Sequence, residues 1–175
     1  MKTVLGVILF LLGAGVAAAE APGHEFVGAK KCAICHKTPA QGGQYGIWLE
    51  SKHAKAFETL GTPAAAAIAQ KAGVDDPSQS GQCLKCHSTA YGFTEKRASD
   101  AIAVEEGVSC ESCHGPGKDY MKKSVMQDLR AAKAAGLLVP DEKTCLRCHN
   151  AGGPVPEDFD YKTYREKIKH PKPKV

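Results

Sequence analysis

The segment Cys110-Glu111-Ser112-Cys113-His114 is decisive for this chain, because its Cys-x-x-Cys-His pattern occurs four times. The other copies occupy residues 32–36, 83–87 and 145–149. Cysteines at i and i+3 lie on one face of a helical turn, where they can form thioethers with a haem, and the histidine that follows can ligate its iron. The pattern predicts four c-type haem attachment sites. The attachment residues are Cys32, Cys35, Cys83, Cys86, Cys110, Cys113, Cys145 and Cys148, and the proximal ligands are His36, His87, His114 and His149.

Three other uses of the eight cysteines compete with haem. They are disulfides in an oxidising compartment, two zinc sites of four cysteines each, and redox-active dithiols. None of the three requires a histidine directly after each pair. None explains why no cysteine of the chain lies outside a pair. The sequence therefore favours haem over all three.

The first nineteen residues resemble an export signal. Lys2 is followed by an uncharged run over residues 3–19, which ends in the small residues Ala17, Ala18 and Ala19. The apolar run is shorter than the roughly 20 residues that span a bilayer. We expect cleavage after residue 19, with no membrane span left, and one tetrahaem cytochrome c domain over residues 20–175. Such a chain would be periplasmic or otherwise exported, which agrees with covalent haem attachment outside the cytoplasm.

Composition excludes several classes of protein. The chain has 175 residues, of which 6% are aromatic and 28 are Gly or Pro, so its core of side chains is expected to be thin. A large α/β barrel does not fit in this length. The formal charge of +4 does not indicate nucleic-acid binding, because the propionates of four haems would reverse its sign. The basic tail is interpreted as a solvated end; its lysines are Lys167, Lys169, Lys172 and Lys174.

The segments between the motifs predict helices. Residues 45–60 place Leu49, His53 and Leu60 on one face, and Thr62 with Pro63 begins a helix that runs to residue 72. Further helices are predicted over residues 118–135, after Asp141, and over residues 157–169. The motif spacing is too irregular for a tandem repeat. We expect a mostly α, compact multihaem cytochrome c, with short helices and irregular loops wrapped around four closely packed haems.

Three histidines lie outside the motifs, against four distal iron positions. They are His24, His53 and His170. His53 lies on the apolar face of its predicted helix, and all three are candidate distal ligands. At most three haems can therefore have two histidine ligands, and the fourth is open or bound by another group, for which Met121 and Met126 are candidates.

Three segments resemble the tetrahaem cytochrome c-554 family. They are residues 107–117 around the third motif, the segment Ser51-Lys52-His53-Ala54-Lys55-Ala56, and Phe26-Val27-Gly28 ahead of the first motif. The likeness extends in order and spacing over about residues 24–170. It implies an electron carrier of the type that accepts electrons from hydroxylamine oxidoreductase. It also implies that His53 and His170 are distal ligands, and that the haem of His87 is five-coordinate.

The chain departs from the family pattern at one point. The family has a distal histidine a few residues after Gly-Pro-Gly, whereas residues 118–124 of this chain contain none. Either His24 replaces it, or a methionine does, or a second haem is open.

The expected function is single-electron transfer between donor and acceptor proteins. Those partners would be other cytochromes, or a quinone-linked or hydroxylamine-oxidising complex, and no nucleic acid is expected. In this interpretation the chain has no catalytic residues. Two alternatives stay open: an enzyme that converts nitric oxide or hydroxylamine at an open haem, and a subunit of a larger multihaem conduit.

Overall fold

The computed structural model describes residues 23–153 and 158–172, so the predicted export signal and Lys174 lie outside the described residues. Within those ranges the chain contains nine α-helices, four single turns of 3₁₀ helix and no strand. The prediction of a mostly α fold is confirmed. The helices are α1 (Ala29–His36), α2 (Gln44–Leu49), α3 (Pro63–Lys71), α4 (Gly81–His87), α5 (Cys110–His114), α6 (Lys123–Met126), α7 (Leu129–Ala134), α8 (Glu142–Leu146) and α9 (Tyr161–Ile168).

The four motifs are all wound as helical turns. Helices α1, α4 and α5 each end at the histidine of their motif. Helix α8 ends within the fourth motif, but the N–H groups of Cys148 and His149 still bond to the carbonyl of Cys145. Each motif therefore presents its two cysteines and its histidine on one side of a turn.

Two predicted helix starts are confirmed by their caps. The hydroxyl of Thr62 accepts a hydrogen bond from the N–H of Ala65, and Pro63 is the first residue of α3. Asp141 caps α8 and forms a capping box with Thr144. Both signals depend only on residues within one turn, which explains why the sequence predicts them correctly.

The predicted helix over residues 45–60 is wrong in its extent, because α2 ends at Leu49. Two carbonyl groups after Leu49 bond to distant segments instead of to the helix. The carbonyl of His53 accepts a hydrogen bond from the N–H of Val108, and the carbonyl oxygen of Ala56 lies 2.8 Å from Nδ1 of His87. Leu49, which was predicted to be buried, is 43% exposed. Turns over residues 51–57 replace the helix and bring His53 towards the second and third motifs.

The predicted helix over residues 118–135 is also divided. Its first residues leave the helix because the N–H of Lys118 bonds to the carbonyl of Glu25. Asp128 then caps α7 and separates it from α6. The last helix begins later than predicted, since Asp160 caps α9 through the N–H of Thr163.

The core of side chains is thin, as the composition predicts. Among the described residues, half of the buried hydrophobic side chains are alanine, and the largest that are fully buried include Leu84 and Ile102. None of the helices in the described part is long and apolar enough to span a membrane.

Candidate haem-binding sites

Two of the predicted distal histidines face motif histidines across a gap. The rings of His53 and His149 have centres 6.1 Å apart. The rings of His114 and His170 have centres 5.9 Å apart. In both cases the distal residue comes from a segment far from the motif in sequence, so the fold brings each pair together.

These separations fit an iron held between two imidazoles. Metal–imidazole nitrogen bonds are about 2 Å long, so two rings that share one iron have centres roughly 6 Å apart. The attachment cysteines lie beside these rings, on the same turns as His114 and His149. All eight cysteines are free of disulfides, as thioether formation requires. The donor set therefore fits haem c at these two positions.

Hydrogen bonds fix which ring nitrogen of the motif histidines is available. Nδ1 of His87 lies 2.8 Å from the carbonyl oxygen of Ala56, and Nδ1 of His114 lies 3.2 Å from that of Leu138. Because a carbonyl only accepts, both Nδ1 atoms must carry the proton, which leaves Nε2 free to ligate a metal. Burial lowers the pKa of His114, which favours the neutral ring that a ligand needs.

His24 is not placed opposite any motif histidine. Its Nδ1 lies 2.7 Å from a carboxylate oxygen of Asp119, and its ring packs against the backbone of Gly136. Hydrogen bonding of Nδ1 to a carboxylate leaves Nε2 free, as in many metal-ligating histidines. Met121, which the sequence offers as an alternative distal ligand to His24, has 37% of its surface exposed. The role of His24 as a distal ligand stays a prediction.

Thiols of different motifs contact each other in pairs. Interaction with Cys110 in the third motif lowers the pKa of the Cys32 thiol in the first motif and raises that of Cys110. Interaction with Cys148 in the fourth motif lowers the pKa of the Cys86 thiol in the second motif to about 7. The first motif is therefore adjacent to the third, and the second to the fourth.

The third and fourth motifs connect these two pairs. Burial, and then the charge of Cys145, raise the pKa of the Cys113 thiol to about 11, so the two thiols lie near each other. The guanidinium of Arg147 in the fourth motif also lies 5.0 Å from the ring centre of Phe93, which follows the second motif. Thr89, two residues after the second motif, also hydrogen bonds to Ser112 in the third motif, so each motif has at least one other motif beside it.

A buried carboxylate holds the first and third motifs together. Glu111, between the cysteines of the third motif, is 2% exposed and accepts hydrogen bonds from the N–H groups of Val27, Gly28 and Gly117. Burial raises the pKa of Glu111, although these three N–H groups act in the opposite direction. Glu111 therefore fixes the segment before α1 to the loop after α5.

Sequence reasoning did not identify Glu111 or Gln44 as functional residues. Glu111 occupies a variable position of its motif, where no local rule predicts burial. Gln44 is 7% exposed, and its Oε1 lies 3.3 Å from Nδ1 of His36. No sequence signal reports these contacts, because the partners of both residues come from distant segments.

Comparison with known proteins agrees with this geometry. Cytochrome c-554 of Nitrosomonas europaea is 38% identical over 120 residues, which is 64% of this chain and 46% of that protein. A family model described as cytochrome c554 and c-prime matches residues 31–115. Over these residues the chain is similar to the cytochrome c-554 family. No solved structure matches it.

The similarity to the cytochrome c-554 family supports covalently bound haem c as the cofactor. The segment that matches the family model contains the first three motifs, and the fourth lies beyond it, so a count of four haems stays a prediction. The chain spans about half the length of its curated cytochrome c-554 relative.

Proposed function

We propose that this protein is an exported tetrahaem c-type cytochrome that transfers single electrons between redox protein partners. The observation that carries the proposal is the pairing of motif histidines with distal histidines at separations of 6.1 and 5.9 Å. Four complete attachment motifs, each beside at least one other, support the count of four haems. The uncharged run over residues 3–19 supports export.

The proposed axial ligands follow from the ring geometry. His149 and His53 bind one iron, and His114 and His170 bind a second. His24, with its ring oriented by Asp119, is the candidate distal ligand for one of the two remaining motif histidines, His36 and His87. The family resemblance implies that the haem of His87 is the five-coordinate one.

The protein residues hold the cofactors and set their surroundings. Acceptors at Nδ1 of His87 and His114 keep each ring in one tautomer and one orientation. The buried side chain of Glu111 fixes the spacing of the first and third motifs. Haem bound at these sites supplies a one-electron couple, in which iron alternates between the ferric and ferrous states.

The proposed partners are redox proteins that donate or accept single electrons. The classes of partner that we propose are other cytochromes and a quinone-linked or hydroxylamine-oxidising complex.

A reductive titration tests this function. The oxidised protein should take up four electron equivalents per chain, and an oxidised cytochrome should then re-oxidise it rapidly. Uptake of fewer than four equivalents would refute the count of haems. Four equivalents without re-oxidation by any cytochrome would refute the role as a carrier.

A second candidate function is supported by the shortage of distal histidines, three for four attachment motifs. An iron with one protein ligand keeps a position free for a small molecule, as in a haem enzyme that acts on nitric oxide or hydroxylamine. The reduced protein should bind carbon monoxide at a minority of its haems, and His87→Ala should change the absorption spectrum of that adduct. Rapid consumption of either nitrogen species would favour the enzyme, whereas carbon monoxide binding without turnover favours the carrier.

A further inference from the structure

We propose that Gln44 is a positioning residue that orients axial ligands at two separate haem sites: His36 directly, and His170 through the backbone carbonyl of Pro171. This inference rests on the proposed haem ligation. It assigns a role to a side chain outside every attachment motif.

The hydrogen bonds of Gln44 determine the orientation of its amide. Nε2 donates to the carbonyl of Gln41 at 2.6 Å and to that of Pro171 at 2.9 Å. Two carbonyl partners can only accept, so the amide nitrogen must face them. Oε1 is therefore the atom that lies 3.3 Å from Nδ1 of His36.

That orientation fixes the tautomer of His36. Because Oε1 only accepts, Nδ1 of His36 must donate, and Nε2 remains unprotonated for the iron. Gln44 thus does for the first motif what backbone carbonyls do for His87 and His114. Its exposed fraction of 7% means that water does not easily replace it in this role.

The same amide holds the C-terminal segment in place. The carbonyl of Pro171 accepts from Nε2 of Gln44 and lies 3.3 Å from Nδ1 of His170. Nδ1 of His170 must then carry the proton, which leaves Nε2 free on the ring that faces His114. One carbonyl therefore links the amide of Gln44 to a distal ligand of the third motif.

The loop before Gln44 is shaped to receive this segment. Gly42 has φ of 104°, and a Cβ at this position would lie 2.7 Å from Nε2 of Gln44 and 3.3 Å from Cβ of Pro171. Any larger residue would separate the amide from the carbonyl. The absence of a side chain at Gly42 is thus an independent feature of the same contact.

Three variants test the role of Gln44. Gln44→Leu replaces the amide with an apolar side chain of similar size, and so removes both the Nε2 donor and the Oε1 acceptor. Gln44→Glu keeps an acceptor for His36 but removes the donor to Pro171. Gln41→Leu is the matched control, because Gln41 bonds to Gln44 through its backbone carbonyl and not through its side chain. The intact mass of each variant is first measured after denaturation, which gives its number of attached haems. Fewer than four haems in the unsubstituted protein would refute the proposed function and not the role of Gln44.

Carbon monoxide titration of the reduced protein is the main measurement. The His170→Ala variant lacks the proposed distal ligand of the His114 haem, so its titration identifies the spectral change that belongs to this haem. Mutation of an outer hydrogen-bond partner of a metal-ligating histidine typically costs 10- to 100-fold in metal affinity or activity. We expect Gln44→Leu and Gln44→Glu to raise the apparent affinity of that haem for carbon monoxide by about this factor, and Gln41→Leu to leave it unchanged. Adding Gln44→Leu to His170→Ala should produce no further gain at this haem.

The reduction potentials of the haems provide a second measurement. If Gln44 had a purely structural role, its substitution would leave these potentials unchanged. In Gln44→Glu the carboxylate at Nδ1 makes the ring of His36 more basic, so the potential of its haem should fall relative to that of Gln41→Leu. The proposal is overturned if Gln44→Leu and Gln44→Glu match Gln41→Leu in both carbon monoxide affinity and potentials. If Gln44→Leu does not accumulate as folded protein, Gln44→Glu, which is nearly identical in size to Gln44, decides the question with the same two measurements.

Discussion

Removing the carboxylate of Glu111 should destabilise the protein far more than its position on a short helix suggests. In Glu111→Ala the N–H groups of Gly28 and Gly117, both in buried bonds, and that of Val27, in a partly buried bond, lose their acceptor. An orphaned buried donor costs about 1–3 kcal/mol, and a partly buried one about 1 kcal/mol. The expected loss is therefore about 3–7 kcal/mol, a large share of the about 5–15 kcal/mol that stabilises a typical domain.

Guanidinium unfolding of the oxidised, haem-loaded protein, followed by far-ultraviolet circular dichroism, measures this loss. The matched control is Glu105→Ala, which removes an exposed carboxylate six residues earlier and should change stability by less than about 0.5 kcal/mol. Glu111→Gln, which keeps one acceptor oxygen, should fall between the two. A loss below about 1 kcal/mol in Glu111→Ala would refute the role of Glu111 as the clamp between the first and third motifs.

Three further predictions concern His53, Gly81 and Asp160. His53→Ala should convert one low-spin haem to high spin in the electron paramagnetic resonance spectrum and leave every haem attached, whereas Lys52→Ala, at an exposed neighbour, should change neither; an unchanged spectrum in His53→Ala would mean that His53 is a packing residue. Gly81→Ala should cost more than about 2 kcal/mol in chemical unfolding because its Cβ would lie 1.9 Å from the carbonyl oxygen of Glu95, whereas Gly46→Ala, with nothing within 4 Å, should be neutral or stabilising by up to about 1 kcal/mol. The side-chain and backbone hydrogen bonds of Thr163 lower the pKa of Asp160, so the stability that Asp160 contributes is present above its unfolded pKa and is lost as the pH falls through its folded pKa. Asp160→Asn should keep the cap of α9 but lose this part of the acid dependence, measured by thermal unfolding at different pH values. An identical acid dependence in both proteins would contradict the assignment.

The parts of the structure that the sequence predicts are local. The Cys-x-x-Cys-His turns, the cap at Thr62 and the capping box at Asp141 all depend on residues within five positions of each other. Their free energies come from hydrogen bonds inside one helical turn, so distant segments do not change them.

The parts that the sequence does not predict depend on contacts between distant segments. Apolar periodicity predicts a helix through His53, but bonds to Val108 and His87 stabilise turns there instead. The resemblance implies that His170 is a distal ligand, but its position opposite His114 was not predicted, because contacts between distant segments determine it. Nothing in the local sequence of Gln44 indicates its partners at His36 and Pro171.

The mass of the intact, denatured protein tests the central claim most directly, because thioether bonds survive unfolding. Expression in a cell that exports the chain and attaches haem should yield residues 20–175 plus four haems. A mass that corresponds to residues 20–175 alone, with or without disulfides, would contradict the account, since zinc sites and dithiols leave no covalent addition.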